Sequence, residues 1–346
     1  MYRGVILILF LQTFSINSTI GQDYKVVTIG FYNFESLFDT INTPGVKDTE
    51  FTPQGNKNWD SKKYRKKISN LAYVISKIGT DFNTEGAGIL GVAEIENKQV
   101  LEDVINHKNL KDRDFGIVHE DSKDRRGIDV ALIYKKKIFA VESHKMFKLE
   151  LEDITEDYTT RDIMLVTGML DSEKIHILVN HWPSRIGGKS TTEKRRITGA
   201  KICKEIVDSI RHADGEAKVL IVGDFNDNPN NKSISVFLKG KSQKSRVKND
   251  ETYNPMMEMF RKGQGTNAYR DTWSTFDQIL VTPELVHNKE GFHFHEAYIF
   301  KKKFMKVLSG RFKDYPKRSF IGDEFKGGYS DHFPVYVHLL KATDQN

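Results

Sequence analysis

The chain has 346 residues, of which 38% are hydrophobic and 29% charged, and it carries 22 Phe and 13 Tyr. That is ample material for a full core and excludes extended disorder, while the one cysteine, Cys203, excludes a disulfide scaffold and a structural cysteine zinc site. The formal charge of +6, from 53 basic and 47 acidic residues, is a mild pointer to anionic partners: nucleic acid, phospholipid headgroups or phosphorylated small molecules.

Residues 1–21 read as a signal peptide, with Arg3 as the positive end, Val5–Leu11 as the apolar run, and small residues Thr19 and Gly21 before a cleavage at Gln22. The run is shorter than the ~18 apolar residues of a spanning helix. The competing reading is a buried first strand, but Val26–Phe31 already supplies one. A secreted or periplasmic protein is therefore expected. Residues 22–346 show no internal repeat and no Pro- or Ser-rich linker, so one domain is expected.

Strands are predicted at Val26–Phe31, Gly88–Ala93, Phe115–His119, Ile128–Tyr134, Met164–Leu170, Ile175–Asn180, Val219–Val222, Thr275–Val281 and Val335–Leu339. Helices are predicted at Lys62–Ile78, Val100–Ile105 and Glu193–His212. The run of strands from Phe115 to Asn180, with no helix between them, argues for antiparallel pairing. Two packed, mainly antiparallel sheets flanked by helices is the economical architecture. Polar, weakly patterned insertions are expected at Thr43–Asp60 and Gly240–Arg270.

Several strands finish in a polar cluster, where sites are commonly built. The first ends at Asn33, the second at Glu94, the sixth at His181, and the seventh runs into Gly223-Asp224-Phe225-Asn226. Asp277 lies in the Thr275–Val281 strand, and Ser330-Asp331-His332 precedes the last. Asn33, Glu94 and Asp331 offer hard oxygens suited to Mg²⁺ or Mn²⁺. Such an ion polarises a phosphoryl oxygen and stabilises a leaving oxyanion. Asp224 and Asn226, separated by Phe225, point to one side, where one orients or deprotonates water and the other donates to phosphate. His181 and His332 can donate to a pentacovalent phosphate. Asp277 can fix the tautomer of His332 and raise its pKa.

The series Asn33, Glu94, His181, Gly223-Asp224-Phe225-Asn226, Asp277 and Ser330-Asp331-His332 resembles the endonuclease/exonuclease/phosphatase superfamily, the group with pancreatic deoxyribonuclease, from about Val26 to Leu340. The stretches Gly91–Asn97, Arg126–Tyr134 and Asn180–Arg185 are similar to its secreted bacterial members. The resemblance implies a four-layer α/β sandwich, a divalent metal, and hydrolysis of phosphodiesters or phosphomonoesters. By the same resemblance Glu94 is the principal metal ligand, with Asn33 and Asp331 near the ion. Asp224 and Asn226 orient water and phosphate, His181 and His332 contact the scissile phosphate, and Asp277 supports His332. Spacing leaves open whether Asp224 or His332 is the base. Arg126, Arg185 and Arg196 are candidate substrate contacts, and Glu96, Asn97 and Asp129 lie beside the motifs.

A secreted nuclease is the favoured reading. A sphingomyelinase-like phospholipid phosphodiesterase or a small-molecule phosphatase is the alternative, and a dead binding module is disfavoured because no motif position is replaced. Basic runs Lys62–Lys67, Lys194–Arg196 and Lys301–Lys303 can track a phosphate backbone or simply be solvated. Phe300, Phe304 and Phe312 can form the aromatic hairpin that a lipid enzyme needs. Trp182 is either a lid on the core or a substrate stacker, and a zinc cluster of His287, His293 and His295 is disfavoured. No obligate protein partner is expected.

Overall fold

The computed structural model describes residues 23–151 and 159–343, so the signal-peptide reading of residues 1–21 lies outside the described residues. In chain order the strands are β1 (Tyr24–Leu37), β2 (Ala87–Ile95), β3 (Phe115–His119), β4 (Asp129–Lys135), β5 (Phe139–Phe147), β6 (Ile163–Leu170), β7 (Glu173–His181), β8 (Lys218–Asp224), β9 (Gly240–Lys241), β10 (Thr252–Tyr253), β11 (Asn267–Tyr269), β12 (Thr272–Ser274), β13 (Asp277–Val281), β14 (His293–Ile299), β15 (Phe320–Ile321), β16 (Glu324–Phe325) and β17 (Val335–Ala342). The helices are α1 (Ser61–Ile75), α2 (Lys98–Ile105), α3 (Lys189–Ala213), α4 (Met256–Arg261) and α5 (Pro283–His287).

Six strands make one sheet in the order β14-β17-β1-β2-β4-β3, and seven make the other in the order β5-β6-β7-β8-β13-β10-β9. Each sheet has one long parallel pair, β1 with β2 and β7 with β8. A parallel pair needs a long crossover, and α1 and α3 lie within these two connections. Asp60 caps α1 by accepting from the Lys62 and Lys63 amides. The inner faces pack together through side chains such as Ile29, Val179 and Val222, all fully buried. Outside one sheet lie α1 and α2, with Leu71, Ile75 and Leu101 buried against it. Outside the other lies α3, through Cys203 and Val207. These are the four layers that the sequence suggested.

Coverage of both faces explains the unbroken apolar runs. Val219, Leu220, Ile221 and Val222 of β8 are all 0% exposed, with no polar face to alternate. At Gly91 the absence of a side chain lets the sheets approach, because a Cβ there would stand 2.9 Å from a Val222 methyl. Gly223 is tighter still: a Cβ would overlap the Asn180 carbonyl on the neighbouring parallel strand. Gly223→Ala is expected to cost about 1–3 kcal/mol, as overpacking does, and to displace Asp224. Urea unfolding followed by circular dichroism checks it, and an unchanged midpoint would show that β8 yields freely.

Two expectations need correction. Gly240–Arg270 is not an unpatterned insertion, because it supplies β9 and β10 at a sheet edge, helix α4 and strand β11. Thr43–Asp60 carries a 3₁₀ turn at Thr49–Phe51 and closes over a small core of Phe38, Phe51, Trp59, Ile128 and Phe320.

Candidate active site

The C-terminal ends of both parallel pairs meet at one end of the sandwich, bringing Asn33, Glu94, His181 and Asp224 together. The strand ends are irregular where they do so. β1 breaks register between Asn33 and Leu37, and β2 between Ala93 and Ile95. Glu35, Ser36, Glu94 and Asn226 all take positive φ, between 50° and 60°. Such backbone is costly for non-glycine residues and gathers at functional sites. Its effect here is to turn Glu94 away from the pleat. The Glu94 carboxylate accepts from Asn33 Nδ2 at 3.1 Å and from the Ser36 amide at 2.9 Å.

Asp224 Oδ2 is the centre of the cluster. It accepts from Asn33 Nδ2 at 3.1 Å and faces His181 Nε2 and His332 Nε2, each 3.8 Å away. Its other oxygen accepts the Asn226 amide at 2.9 Å, while Asn226 Nδ2 donates to the Trp182 carbonyl. His332 Nδ1 donates to Asp277 Oδ2 at 2.7 Å. Ser330 Oγ holds the segment, donating to the Asn33 carbonyl and accepting the His332 amide. The two imidazoles flank one carboxylate oxygen without bonding to it, a gap suited to one small oxygen species.

Electrostatics divides the labour. Burial disfavours charge on His332, but Asp277 and Asp224 outweigh it and hold its pKa well above the usual value, so the ring is an imidazolium. Burial, together with Arg161 and Arg126, holds His181 well below its usual value, so that ring is neutral. Burial pushes Asp224 up to about 6; His332 opposes the shift, and Asp277 and Glu94 add to it. Burial and then Asp331 push Glu35 up to about 7.

The carboxylate oxygens of Glu94, Asp224 and Asp331 gather around the two imidazoles, and such hard donors fit a divalent cation. Glu94 and Asp331 would hold it, whereas Asn33, expected to lie at the ion, turns its Nδ2 to Glu94 and Asp224 and its Oδ1 to the Glu35 amide at 2.9 Å, and so steadies the carboxylates instead. Folded-state carboxyl pKa values above the unfolded ones mean that Asp224 and Glu35 bind protons in the folded chain that the unfolded chain releases. Without a cation their contribution to stability therefore falls as pH rises from about 4 to about 7. A cation must displace those protons. Mn²⁺ is expected to bind at least tenfold more weakly at pH 5.5 than at pH 7.5, with proton release measurable by calorimetry in buffers of different ionisation enthalpy. Affinity independent of pH would contradict the charge assignment.

Other sequence candidates fare unevenly. Arg196 is wholly buried, with Nε 2.9 Å from Asp227 and further bonds to Thr192 and the Lys189 carbonyl, so it secures the start of α3 and is not a substrate contact. Arg185 binds the Asn226 carbonyl, Asp227 and Asn231, holding the loop after β8. Arg126 is half exposed and pairs with Asp124. Glu96 accepts from the Asp39 amide and Thr43, and Asn97 caps α2. Asp129 pairs with His119 at 3.2 Å. Trp182 is core, packed on Phe225 with Nε1 donating to Asn180 Oδ1, which also accepts from Cys203 Sγ. Among the described residues, His287, His293 and His295 form no three-ligand cluster.

Sequence reasoning missed four residues around the site. Arg161 is buried between Asp124 and the Trp182 carbonyl. Glu35 and Lys67 form a buried pair at 3.7 Å, and Arg318 bonds Asp331 at 2.7 Å. Arg161 and Arg318 stand in no apolar run or motif, and Lys67 lay inside a basic run for which only a phosphate track or a solvated face was considered. Only the position of Glu35, two residues past Asn33, carried a signal.

A two-sheet sandwich with an acid–histidine cluster at the ends of its parallel strands defines a hydrolase class acting on phosphate esters. The chain belongs to the Endonuclease/Exonuclease/phosphatase family, whose model matches residues 28–341, and it is a phosphoesterase of that family. Members of the family typically use divalent metals. No curated protein sequence matches it significantly. Among solved structures it is similar to ANGEL2, a 2',3'-cyclic phosphatase (TM-score 0.57, 12% identity, covering 94% of this chain and 99% of that one). It is also similar to the mannosyl-6-phosphatase Bt3783 of Bacteroides thetaiotaomicron (0.55, 16%, 90% and 99%). A third is the D. rerio TDP2 complexed with single-strand DNA product (0.54, 9%, 91% and 98%). At these identities the likeness shows the fold alone.

Proposed function

We propose that the chain is an exported, Mg²⁺- or Mn²⁺-dependent phosphodiesterase that cleaves nucleic-acid strands, with residues 22–346 as one catalytic unit. The carrying observation is the β11–β12 hairpin. Asn267 pairs with His332, and its Nδ2 donates to the Asp331 carbonyl at 3.0 Å. Tyr269, two residues on and so about 7 Å further along the same face, is 66% exposed. The Arg270 guanidinium lies 5.2 Å from its ring. An exposed ring and a guanidinium beside a phosphate-cleaving site suit a base and its phosphate. Of the three rings that the lipid alternative would insert, Phe300 is 2% exposed and Phe304 packs on Phe300, Tyr73 and Tyr329, while Phe312 is 47% exposed, which leaves that reading one ring of three.

In this reading Glu94 and Asp331 would hold a divalent cation, which would supply Lewis acidity toward the phosphoryl group and the leaving oxygen. Asp224 Oδ2 accepts a proton from the attacking water as the new P–O bond forms and the ester P–O bond breaks. A carboxylate with a pKa of about 6 suits that task at neutral pH. His332, charged and held by Asp277, donates to a phosphate oxygen, while neutral His181 donates from Nε2 to another. Asn226 keeps Asp224 oriented through its amide.

The test is an activity panel: single-stranded and duplex DNA, RNA, sphingomyelin and a small phosphodiester, each with Mg²⁺ and with excess chelator. Strand cleavage that needs the cation is expected, with folding intact in chelator. Tyr269→Ala is expected to raise KM for oligonucleotides about tenfold, since stacking contributes roughly 1–3 kcal/mol per base, and to leave the small ester unaffected. Hydrolysis of sphingomyelin without any DNA cleavage would sink the reading. Export is tested by sequencing the N-terminus of the mature protein, expected to begin at Gln22.

A further inference from the structure

The excess positive charge does not spread evenly over the sandwich. A cavity of about 730 Å³ is lined by Lys244, Arg246, His287 and Lys289 together with Gln243, Ser245 and Val286, none of them acidic. Four nearby carboxylates are engaged elsewhere, Asp250 by Lys239, Glu251 by Lys241, Glu284 by Arg211 and Glu173 by Lys218, while Glu290, next to Lys289, is exposed. Among the described residues, Lys244, Arg246 and Lys289 have no ion-pair partner. Lys244 is held in place by donating to the Phe294 carbonyl at 2.9 Å, with its ammonium 5.0 Å from the Phe294 ring. Burial, and then Lys289, hold the Lys244 ammonium below its usual pKa.

This cavity lies at the far end of the sandwich from the catalytic cluster. β8 runs from Lys218, whose ammonium bonds the Glu290 carbonyl, up to Asp224. Six residue steps at about 3.3 Å give roughly 20 Å. The cavity is not isolated. Lys244 also lines a second one of about 530 Å³ that holds Lys262 and Lys301. Its two carboxylates are engaged, Glu258 by Arg261 and Glu296 by the Tyr298 hydroxyl. Gln264 and Lys301 lead on into a third cavity, of about 160 Å³, walled by Trp273 and Phe333. Phe333 follows His332, and Trp273 belongs to the hairpin that carries Tyr269.

We propose that these three cavities form one track along which a nucleic-acid strand runs from the catalytic cluster to the Lys244–Arg246–Lys289 pocket. The inference rests on the phosphodiesterase reading for its occupant and deepens it into a preference for long strands. Neutralising backbone phosphates releases condensed counterions, so each contact adds affinity that salt removes. A strand that keeps the stacked rise of B-DNA, about 3.4 Å per nucleotide, needs about six nucleotides for a 20 Å path. Strands shorter than that reach the catalytic cluster but not the far pocket.

The experiment uses fluorescently labelled single-stranded DNA of four and twelve nucleotides. Binding is read by anisotropy in chelator over a range of salt, and cleavage separately with Mg²⁺. The wild-type chain is expected to bind the 12-mer at least tenfold more tightly than the 4-mer. The variant Lys262→Glu/Arg246→Glu/Lys289→Glu, altered only at exposed positions, is expected to lose most of that advantage. Its salt slope is expected to flatten by about two, from 0.7 per single-strand phosphate, while its turnover of a small phosphodiester stays unchanged. Should the triple variant fold poorly, Arg246→Ala alone is expected to show a smaller loss in the same direction. Equal affinity for the two lengths, or a length advantage indifferent to these substitutions, overturns the track. Tight, charge-dependent binding of the 12-mer without cleavage keeps the track and overturns the nuclease reading instead.

Discussion

His332→Ala is expected to lower turnover by about 10²–10⁴-fold, the usual loss when a positioned proton-handling group is removed. The imidazole is fixed at Nδ1 by Asp277 at 2.7 Å, and its Nε2 lies 3.8 Å from Asp224 Oδ2. It is therefore one part of a three-residue unit, and its loss also removes the charge that helps keep Asp224 ionised. Asp224→Asn is expected to cost a similar factor. The double variant is then much less than multiplicatively worse, as for residues that act together. Asp277→Asn retains an acceptor for Nδ1 but removes the charge, so the His332 pKa should fall and the high-pH limb of the rate profile should move to lower pH. Steady-state kinetics over pH 5–9 decides it. Multiplicative losses would assign His332 and Asp224 to separate steps, and an unmoved profile in Asp277→Asn would relieve Asp277 of its role.

Arg161→Leu is expected to be the most destabilising single change near the site. The guanidinium is 2% exposed, pairs with Asp124 at 3.1 Å and donates to the Trp182 carbonyl at 2.8 Å. Removing one partner of a buried pair leaves an uncompensated charge, which costs roughly 3–5 kcal/mol. A fall in Tm of several degrees or more follows. The change also reaches the chemistry, because Arg161 helps keep His181 neutral. In Arg161→Leu, His181 should take up a proton at higher pH than in the wild type, visible in the ring resonances by NMR. Arg161→Lys should recover part of both effects. A Tm within a degree of the wild type would mean that Asp124 finds full compensation in Arg126.

The fold was readable wherever the chain is buried on both faces. β8 and the inner strands announce themselves as apolar runs because two layers cover them, and the polar residues closing those runs are the ones the fold gathers at the candidate site. β5 was missed for the opposite reason. Phe139–Phe147 lies at a sheet edge with Ser143, His144 and Lys145 exposed, so no run or alternation marks it. Helix α3 was found, but the assignment of Arg196 to substrate failed because position along a helix does not say which side meets the core. Arg161, Arg318 and Lys67 were invisible for a related reason. Each acts across a long sequence separation, on Asp124, Asp331 and Glu35, and only the folded chain brings those pairs together.

The thiol of Cys203 has a practical consequence for spectroscopy. It is fully buried under Asn180, and burial pushes its pKa up, so it presents no thiolate to an electrophile. The native chain is therefore expected to be silent toward maleimide and iodoacetamide reagents, as mass spectrometry after treatment would show. A cysteine introduced at the hairpin tip, as in Tyr269→Cys, would take a fluorophore or spin label at one position without first removing the native thiol. Distances and rotational mobility could then be followed from that tip while substrate enters beside it.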